Sequence, residues 1–300
     1  MVNYDIIAIL EDFPKEAFKG EQINFNFIHK GNEVCQGIIR PFGSLNGENL
    51  TSLIQGVSNA ITFRDWKQVE VFRNMLADLK VNYETHNPIA ILHIVDMPID
   101  VEEKDISDYV ELNLTFQTMA LSFNYSLPIV IRFFILVNKE THAIAVRPTF
   151  KALLLEGYKR DDQGTIIHKE DNFGIVNKII EIGISEHFHN EPYLIKALDL
   201  FRVTLHKKFE DRIPDYWTIF NILAGRVGTA DVKILFEKYL PEKADKVAEF
   251  SDVRGAWHHF RAAKTGFNLV KESHDMRECV EAILVKKINE RHEEIKEMFK

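Results

Sequence analysis

The pattern of apolar and polar positions changes character near Tyr193. From Asn3 to about Arg147, short β-type runs recur between turn signals: Asp5–Leu10, Ile23–His29, Glu33–Arg40, Ile89–Val95, Ile129–Val137 and Ala143–Arg147. Ile23-Asn24-Phe25-Asn26-Phe27 alternates with period two, which suits a sheet with one wet face. Lys30-Gly31-Asn32 predicts a tight hairpin turn after it, because Gly and Asn tolerate positive φ. Arg64–Lys80 puts Trp66, Val69, Phe72, Met75, Leu76 and Leu79 at helical spacing and predicts an amphipathic helix. Asp105–Asn124 fits a helix or a strand pair, and the pattern does not choose between them.

Beyond Pro192 the spacing is helical. YLIKALDLFRVTLHKKF places Leu194, Ala197, Leu198, Phe201 and Leu205 on one stripe. After Pro214, DYWTIFNILAGR predicts a short helix ended at Gly225. Asp231–Tyr239 and Lys243–Phe250 read as shorter helices. Glu272–Met298 is long and periodic through Met276, Cys279, Val280, Ile283, Leu284 and Ile288. The stretch before the change, about Lys151 to Glu191, has two Gly-spaced polar turns and one apolar helix-like piece, Ile175–Ile184. The expected fold class is therefore α+β: a β-rich (α+β) N-terminal domain over 1–170, a connector over 171–192, and an all-α helical bundle over 193–300. No internal repeat stands out.

Composition narrows the class. Three hundred residues and 34.8 kDa suit two domains or one large one. An apolar share of 46% and a charged share of 27% exclude disordered, collagen and coiled-coil readings. The net charge of -8 argues against a general polyanion binder. That acidity sits in front: residues 1–189 hold 17 Lys+Arg against 26 Asp+Glu, whereas 190–300 hold 20 against 19. Cys35 and Cys279 lie far apart and match no metal-binding spacing, so both read as reduced structural thiols. The longest apolar stretch, Leu127–Val137, is too short for a span and carries Arg132. The first residues lack the basic and apolar regions of a signal peptide, and a cytoplasmic protein is expected.

The densest chemistry is SDVRGAWHHFRAAK, residues 251–264. An Arg followed by His four or five residues later sets a permanent cation beside a group that titrates near neutrality. Arg neutralises phosphate oxygens and His moves a proton to or from an attacking or departing oxygen, so the pair suits phosphodiester chemistry. Geometry sets a condition. On a regular helix Arg254 and His258 lie about 40° apart, but Arg254 and His259 about 140° apart. Arg254 and His259 then cooperate only if Gly255 interrupts the helix or if two copies meet across a dimer. Arg261 and Lys264 extend the basic patch into a small pocket suited to a phosphate. The plainer reading is a surface helix with basic residues and a core-facing Trp257.

Arg254-Gly-Ala-Trp-His-His259 fits the Arg-x4-His form of the Arg-x4-6-His motif, and the helices around it resemble those of HEPN-domain proteins. The likeness extends to the ApeA-like subgroup, in which a C-terminal HEPN bundle follows an N-terminal domain. It covers roughly the last hundred residues, with YLIKALDLFRVTLHKKF, DRIPDYWTIFNIL, SDVRGAWHH and DMRECVEAILVKKINE in that order. The resemblance implies metal-independent endoribonuclease cleavage, in defence against phage or as a toxin. The RNA 2′-hydroxyl would attack the adjacent phosphate and leave a 2′,3′-cyclic phosphate. Arg254 would bind the phosphate and His259, with His258 beside it, would handle protons at a homodimer interface between bundles. The chain departs from the family in Gly255, where a polar residue is usual after the Arg, and in Asn221, near where an acidic residue is common. Those departures fit the alternative, a non-catalytic bundle that dimerises and binds a ligand or protein.

Other clusters carry less. Glu186–Glu191 holds His187 and His189 but no third and fourth zinc ligand, and reads as a solvated loop. Gly43–Gly47 lacks the Lys and spacing of a phosphate-binding loop. A metal hydrolase built on His86 and His93 lacks a carboxylate set. His274 and His292 on the last helix read as solvated, and Phe123, Phe133 and Phe134 as core. Neither a metal nor a cofactor is expected.

Overall fold

The computed structural model describes residues 2–11, 13, 22–29, 32–41, 89–141, 144–148, 173–187, 193–258 and 266–298. The expected helix Arg64–Lys80, the Gly43–Gly47 turn and His86 lie outside them, as do Lys30 and Gly31 of the expected hairpin turn. The chain is α+β, with an antiparallel sheet in its N-terminal half and helices in its C-terminal half. It forms two compact units. Described residues up to Thr118 and from Ile129 to Pro148 belong to the first, and Met119–Pro128 with the residues from Gly174 onward to the second.

The sheet has six strands: β1 (Val2–Glu11), β2 (Ile23–His29), β3 (Asn32–Pro41), β4 (Ile89–Ile99), β5 (Val130–Asn138) and β6 (Ile144–Pro148), in the spatial order β2-β3-β4-β1-β5-β6. All neighbours are antiparallel. The run Ile6-Ile7-Ala8-Ile9-Leu10 has no polar member because it lies in an interior strand, paired on both edges, and all five residues are buried. In β2 the period-two pattern holds, with Ile23 and Phe25 buried and Asn24 and Asn26 exposed. Phe25 lies opposite Gly37 of β3, and a Cβ there would stand 2.2 Å from its Cζ. Only the bare backbone of glycine lets that ring lie across the strand pair.

β4 extends past the sequence-predicted end at Val95. The register against β1 slips between Tyr4 and Ile6, and the additional residue falls in β4, where Asp96 takes a φ of 54°. Its N–H donates to Asp5 Oδ1 at 2.9 Å, and Lys139 Nζ approaches Asp5 Oδ2 at 3.1 Å and Asp96 Oδ1 at 3.3 Å. This bulge re-phases the strand so that Met97 and Ile99 resume buried positions.

The ambiguous stretch after β4 is a helix, α1 (Ile106–Tyr125), divided between the two units at Thr118 and Met119. Its C-terminus closes as a Schellman turn: Leu127 N–H donates to Ser122 O at 3.2 Å, and Ser126 takes the left-handed position with φ 54°. The second unit continues through α2 (Phe173–His187), α3 (Tyr193–Thr204), α4 (Ile213–Ala224), α5 (Thr229–Tyr239), α6 (Lys246–His258) and α7 (Leu269–Met298). The expected stripe on α3, Leu194 to Leu205, is buried, as are the six periodic residues of α7. Gly225 ends α4 with φ 74° and an N–H to Ile222 O. α3 is shorter than its apolar pattern. Its last carbonyl neighbours, Leu205 O and Lys207 O, are taken by Arg212 Nη2 and Nε at 2.9 and 2.8 Å, so a side chain replaces the next helical turn.

Two expectations for α7 are corrected. His292 is buried, with Nε2 2.9 Å from Glu181 Oε2 of α2, and is not solvated. His274 is half-buried and stacks on Phe209 at 4.4 Å. Both imidazoles serve as contacts between neighbouring elements, a use that the polar-looking pattern of the helix concealed. Phe123 and Phe134 are core residues as expected, and both cysteines are buried.

Candidate functional site

The residues of the Arg-x4-His segment lie on and after α6. Val247, Phe250, Val253 and Ala256 form its buried face, so Arg254, Trp257 and His258 flank the core at the helix's last turns. Trp257 is half-buried beside that face, and His258 packs edge-on against it at 5.4 Å. The helix continues unbroken through Gly255, around which a Cβ would meet nothing within 4 Å. Gly255 is thus not an interruption. Arg254 and His258 share one side of the helix, about 40° apart, with no distortion needed. His259, Arg261 and Lys264 lie outside the described residues.

Arg254 is held from the side. Its guanidinium carbon stands 5.9 Å from the centroid of the Trp217 ring on α4, a cation–π contact that directs the charge along the α4–α6 seam. One turn beyond Trp217 is Asn221, whose Nδ2 donates to Trp217 O at 3.0 Å while its Oδ1 accepts from Gly228 N–H at 3.1 Å. Asn221 therefore ties the α4–α5 turn, and both ends of its amide are engaged. His258, by contrast, is exposed. The arrangement offers a fixed cation and a solvent-facing imidazole on one helix side, the two functions that in-line attack on a phosphate requires.

A second polar constellation in the helical unit was not anticipated. Ser126 Oγ donates to Glu281 Oε1 at 2.7 Å, and the same oxygen accepts from Arg277 Nε at 3.0 Å. Tyr216 of α4 is fully buried; burial pushes its pKa up to about 12 against the opposing pull of Arg212 and Arg277. His206 is pushed down to about 4, first by burial and then by the charges of Arg202 and Arg212. Arg202 is itself buried and bonded to Asp199 Oδ1 at 2.7 Å. The clue in the sequence was Arg277 with Glu281, an i,i+4 pair directly after the buried Met276 and Val280 of α7. Charged residues on a core stripe need partners, and only the fold reveals that those partners come from α1 and α4.

His187 and His189 fall outside the described side chains, and His93 of β4 is half-buried with its pKa lowered chiefly by burial. Among the described residues no group of three His, Cys, Asp or Glu is placed to hold a metal ion, and no helix is long and apolar enough to cross a membrane. No family model, curated protein or solved structure matches this chain.

Proposed function

We propose that the helical half is a HEPN-type bundle and that the protein is a metal-independent endoribonuclease acting as a homodimer in the cytoplasm. The observation that carries this reading is Arg254, set against Trp217 with His258 one turn further along an unbroken helix. In the proposed reaction Arg254 neutralises the scissile phosphate while a histidine takes the 2′-hydroxyl proton. The P–O5′ bond then breaks as the 2′-oxygen bonds to phosphorus, and the leaving oxygen takes a proton. Since Gly255 does not break the helix, His259 acts with the Arg254 of a second copy, whereas His258 is available to its own Arg254. Arg261 and Lys264 extend the RNA-binding surface. Defence against phage, or toxicity, is the role that suits such an enzyme.

A second reading rests on Asn221. Its amide is committed to Trp217 and Gly228, and it supplies no carboxylate beside Arg254. This favours a non-catalytic bundle that dimerises and binds a ligand or protein.

The test is cleavage of a mixed RNA pool in EDTA by wild type, Arg254→Ala, His258→Ala, His259→Ala and the Arg254→Ala/His259→Ala double variant. Cyclic-phosphate ends from wild type, lost in Arg254→Ala and in one histidine variant, are expected. Equal cleavage by wild type and the double variant would overturn the assignment. Inactivity of every protein favours the binding module. A heterodimer of Arg254→Ala with His259→Ala that regains activity would place the two groups on different copies.

A further inference from the structure

We infer that the helical unit binds a phosphate group at the cluster formed by Arg212, Arg277, Tyr216 and His206, a site separate from Arg254. The argument begins with charge. Arg202 is matched by Asp199, and Arg277 by Glu281. Arg212 bonds to the carbonyl oxygens of Leu205 and Lys207 and lies against the Tyr216 hydroxyl, and among the described residues no carboxylate pairs with it. One guanidinium charge in the cluster is therefore uncompensated among the described residues. Burial comes first in pulling the pKa of Arg212 below its ordinary value, and the neighbouring charge of Arg277 adds to it, opposed by the Tyr216 hydroxyl.

Donors point the same way. Arg277 is only 4% exposed, and its Nη2 has no hydrogen-bond partner among the described residues. The same holds for Nε2 of His206 and, by strict geometry, for the hydroxyl of Tyr216, although Arg212 lies close enough to influence it. Buried polar groups in folded proteins are nearly always bonded, so three in one cluster beside a surplus cation describe a place that an oxyanion completes. The two hydrogen bonds of Arg212 use Nε and Nη2 and not Nη1. Guanidinium forks and a phenol approaching from α4, α7 and the Phe209–Arg212 turn match the several oxygens of a phosphate better than a planar carboxylate.

Access lies at the half-buried side. Arg212 sits 4.2 Å above the Phe209 ring, which stacks on His274, and all three are partly exposed, whereas Arg277 and Tyr216 are buried.

The test is titration of the full-length chain with inorganic phosphate, chloride being adjusted to hold ionic strength constant. It is followed by thermal midpoint and by phosphorus NMR linewidth. A saturable rise in midpoint with line broadening is expected. Arg212→Gln should weaken the apparent affinity at least tenfold, and Lys233→Ala, which removes an exposed cation of α5, should leave it unchanged. Repeating the titration with adenosine monophosphate distinguishes sources: saturation at lower concentration points to a phosphomonoester, saturation by phosphate alone to the free ion. Phosphate acting no differently from chloride would overturn the inference, as would an unaltered response in Arg212→Gln or an equal loss of response in Lys233→Ala. If Arg212→Gln does not fold, Arg212→Lys retains the charge without the fork and should still bind more weakly, and the wild-type NMR titration stands on its own. RNA cleavage is not a readout here, so this site and the nuclease reading fail independently.

Discussion

Replacing Ser126 separates two opposing effects at one residue. Its hydroxyl donates to buried Glu281 at 2.7 Å, while its backbone holds φ at 54°. A hydrogen bond to a charged group contributes about 1.5–3 kcal/mol, and a buried carboxylate that loses a donor keeps its desolvation cost. Ser126→Ala should therefore destabilise the helical unit by about 1.5–3 kcal/mol. Ser126→Gly loses the same bond but relieves the left-handed strain, which costs a non-glycine residue about 1 kcal/mol. Its net loss should be about 0.5–2 kcal/mol. The predicted order is wild type, then Ser126→Gly, then Ser126→Ala, with a gap of about 1 kcal/mol between the variants. Urea unfolding followed by tryptophan fluorescence in a Trp66→Phe background reads the helical unit, because the remaining tryptophans, Trp217 and Trp257, lie on α4 and α6. A Ser126→Ala protein as stable as wild type would show that the bond to Glu281 contributes nothing. Ser126→Gly falling below Ser126→Ala would show that the backbone is not strained.

Three further predictions follow from local geometry. Gly37→Ala would force a Cβ to within 2.2 Å of the Phe25 ring and should cost the sheet unit about 1–3 kcal/mol, seen as faster amide exchange in β2 and β3, with partial recovery in Gly37→Ala/Phe25→Leu. Gly255→Ala should raise the urea midpoint of the helical unit by an amount equivalent to about 0.5–1 kcal/mol, since a Cβ meets nothing there and alanine favours a helix interior; a fall would mean that something packs on that face. His206 has a folded pKa of about 4 against an unfolded value of 6.5, so between those values the unfolded chain binds the additional proton. Stability should be complete above pH 6.5 and decline by up to about 3 kcal/mol as pH falls toward 4, with a shallower decline in His206→Gln; identical urea-midpoint profiles for the two proteins between pH 7 and pH 4 would refute the assignment.

The sequence by itself determined the kind of element at most described positions. A five-residue apolar run marked β1, Asn–aromatic alternation marked β2, and the stripe from Leu194 to Leu205 marked α3. These patterns are local, since side-chain period follows from backbone geometry alone. Gly225 was legible as a helix end for the same reason, a positive φ being a property of one residue. Asp105–Asn124 was not legible, because almost every position from Phe116 to Ser126 is buried and a uniformly buried segment has no period to read.

Tertiary structure decided the rest. Spatial order in the sheet, with β1 between β4 and β5, depends on pairings between residues far apart in the chain, such as Val2 with Ile99 and Tyr4 with Asn138. The bulge at Asp96 exists only against its partner Asp5, so the pattern alone ended that strand too early. Arg254, Gly255 and His258 could be picked out as a motif, but the support of Arg254 by Trp217 comes from another helix. His292 read as solvated until Glu181 was placed opposite it, because a buried polar side chain is recognised by its partner and not by its neighbours in sequence. The Arg212–Arg277 cluster is the extreme case. Its members are scattered from His206, just after α3, to Arg277 on α7, and the free energy of a charge depends on which groups folding brings within a few ångströms of it.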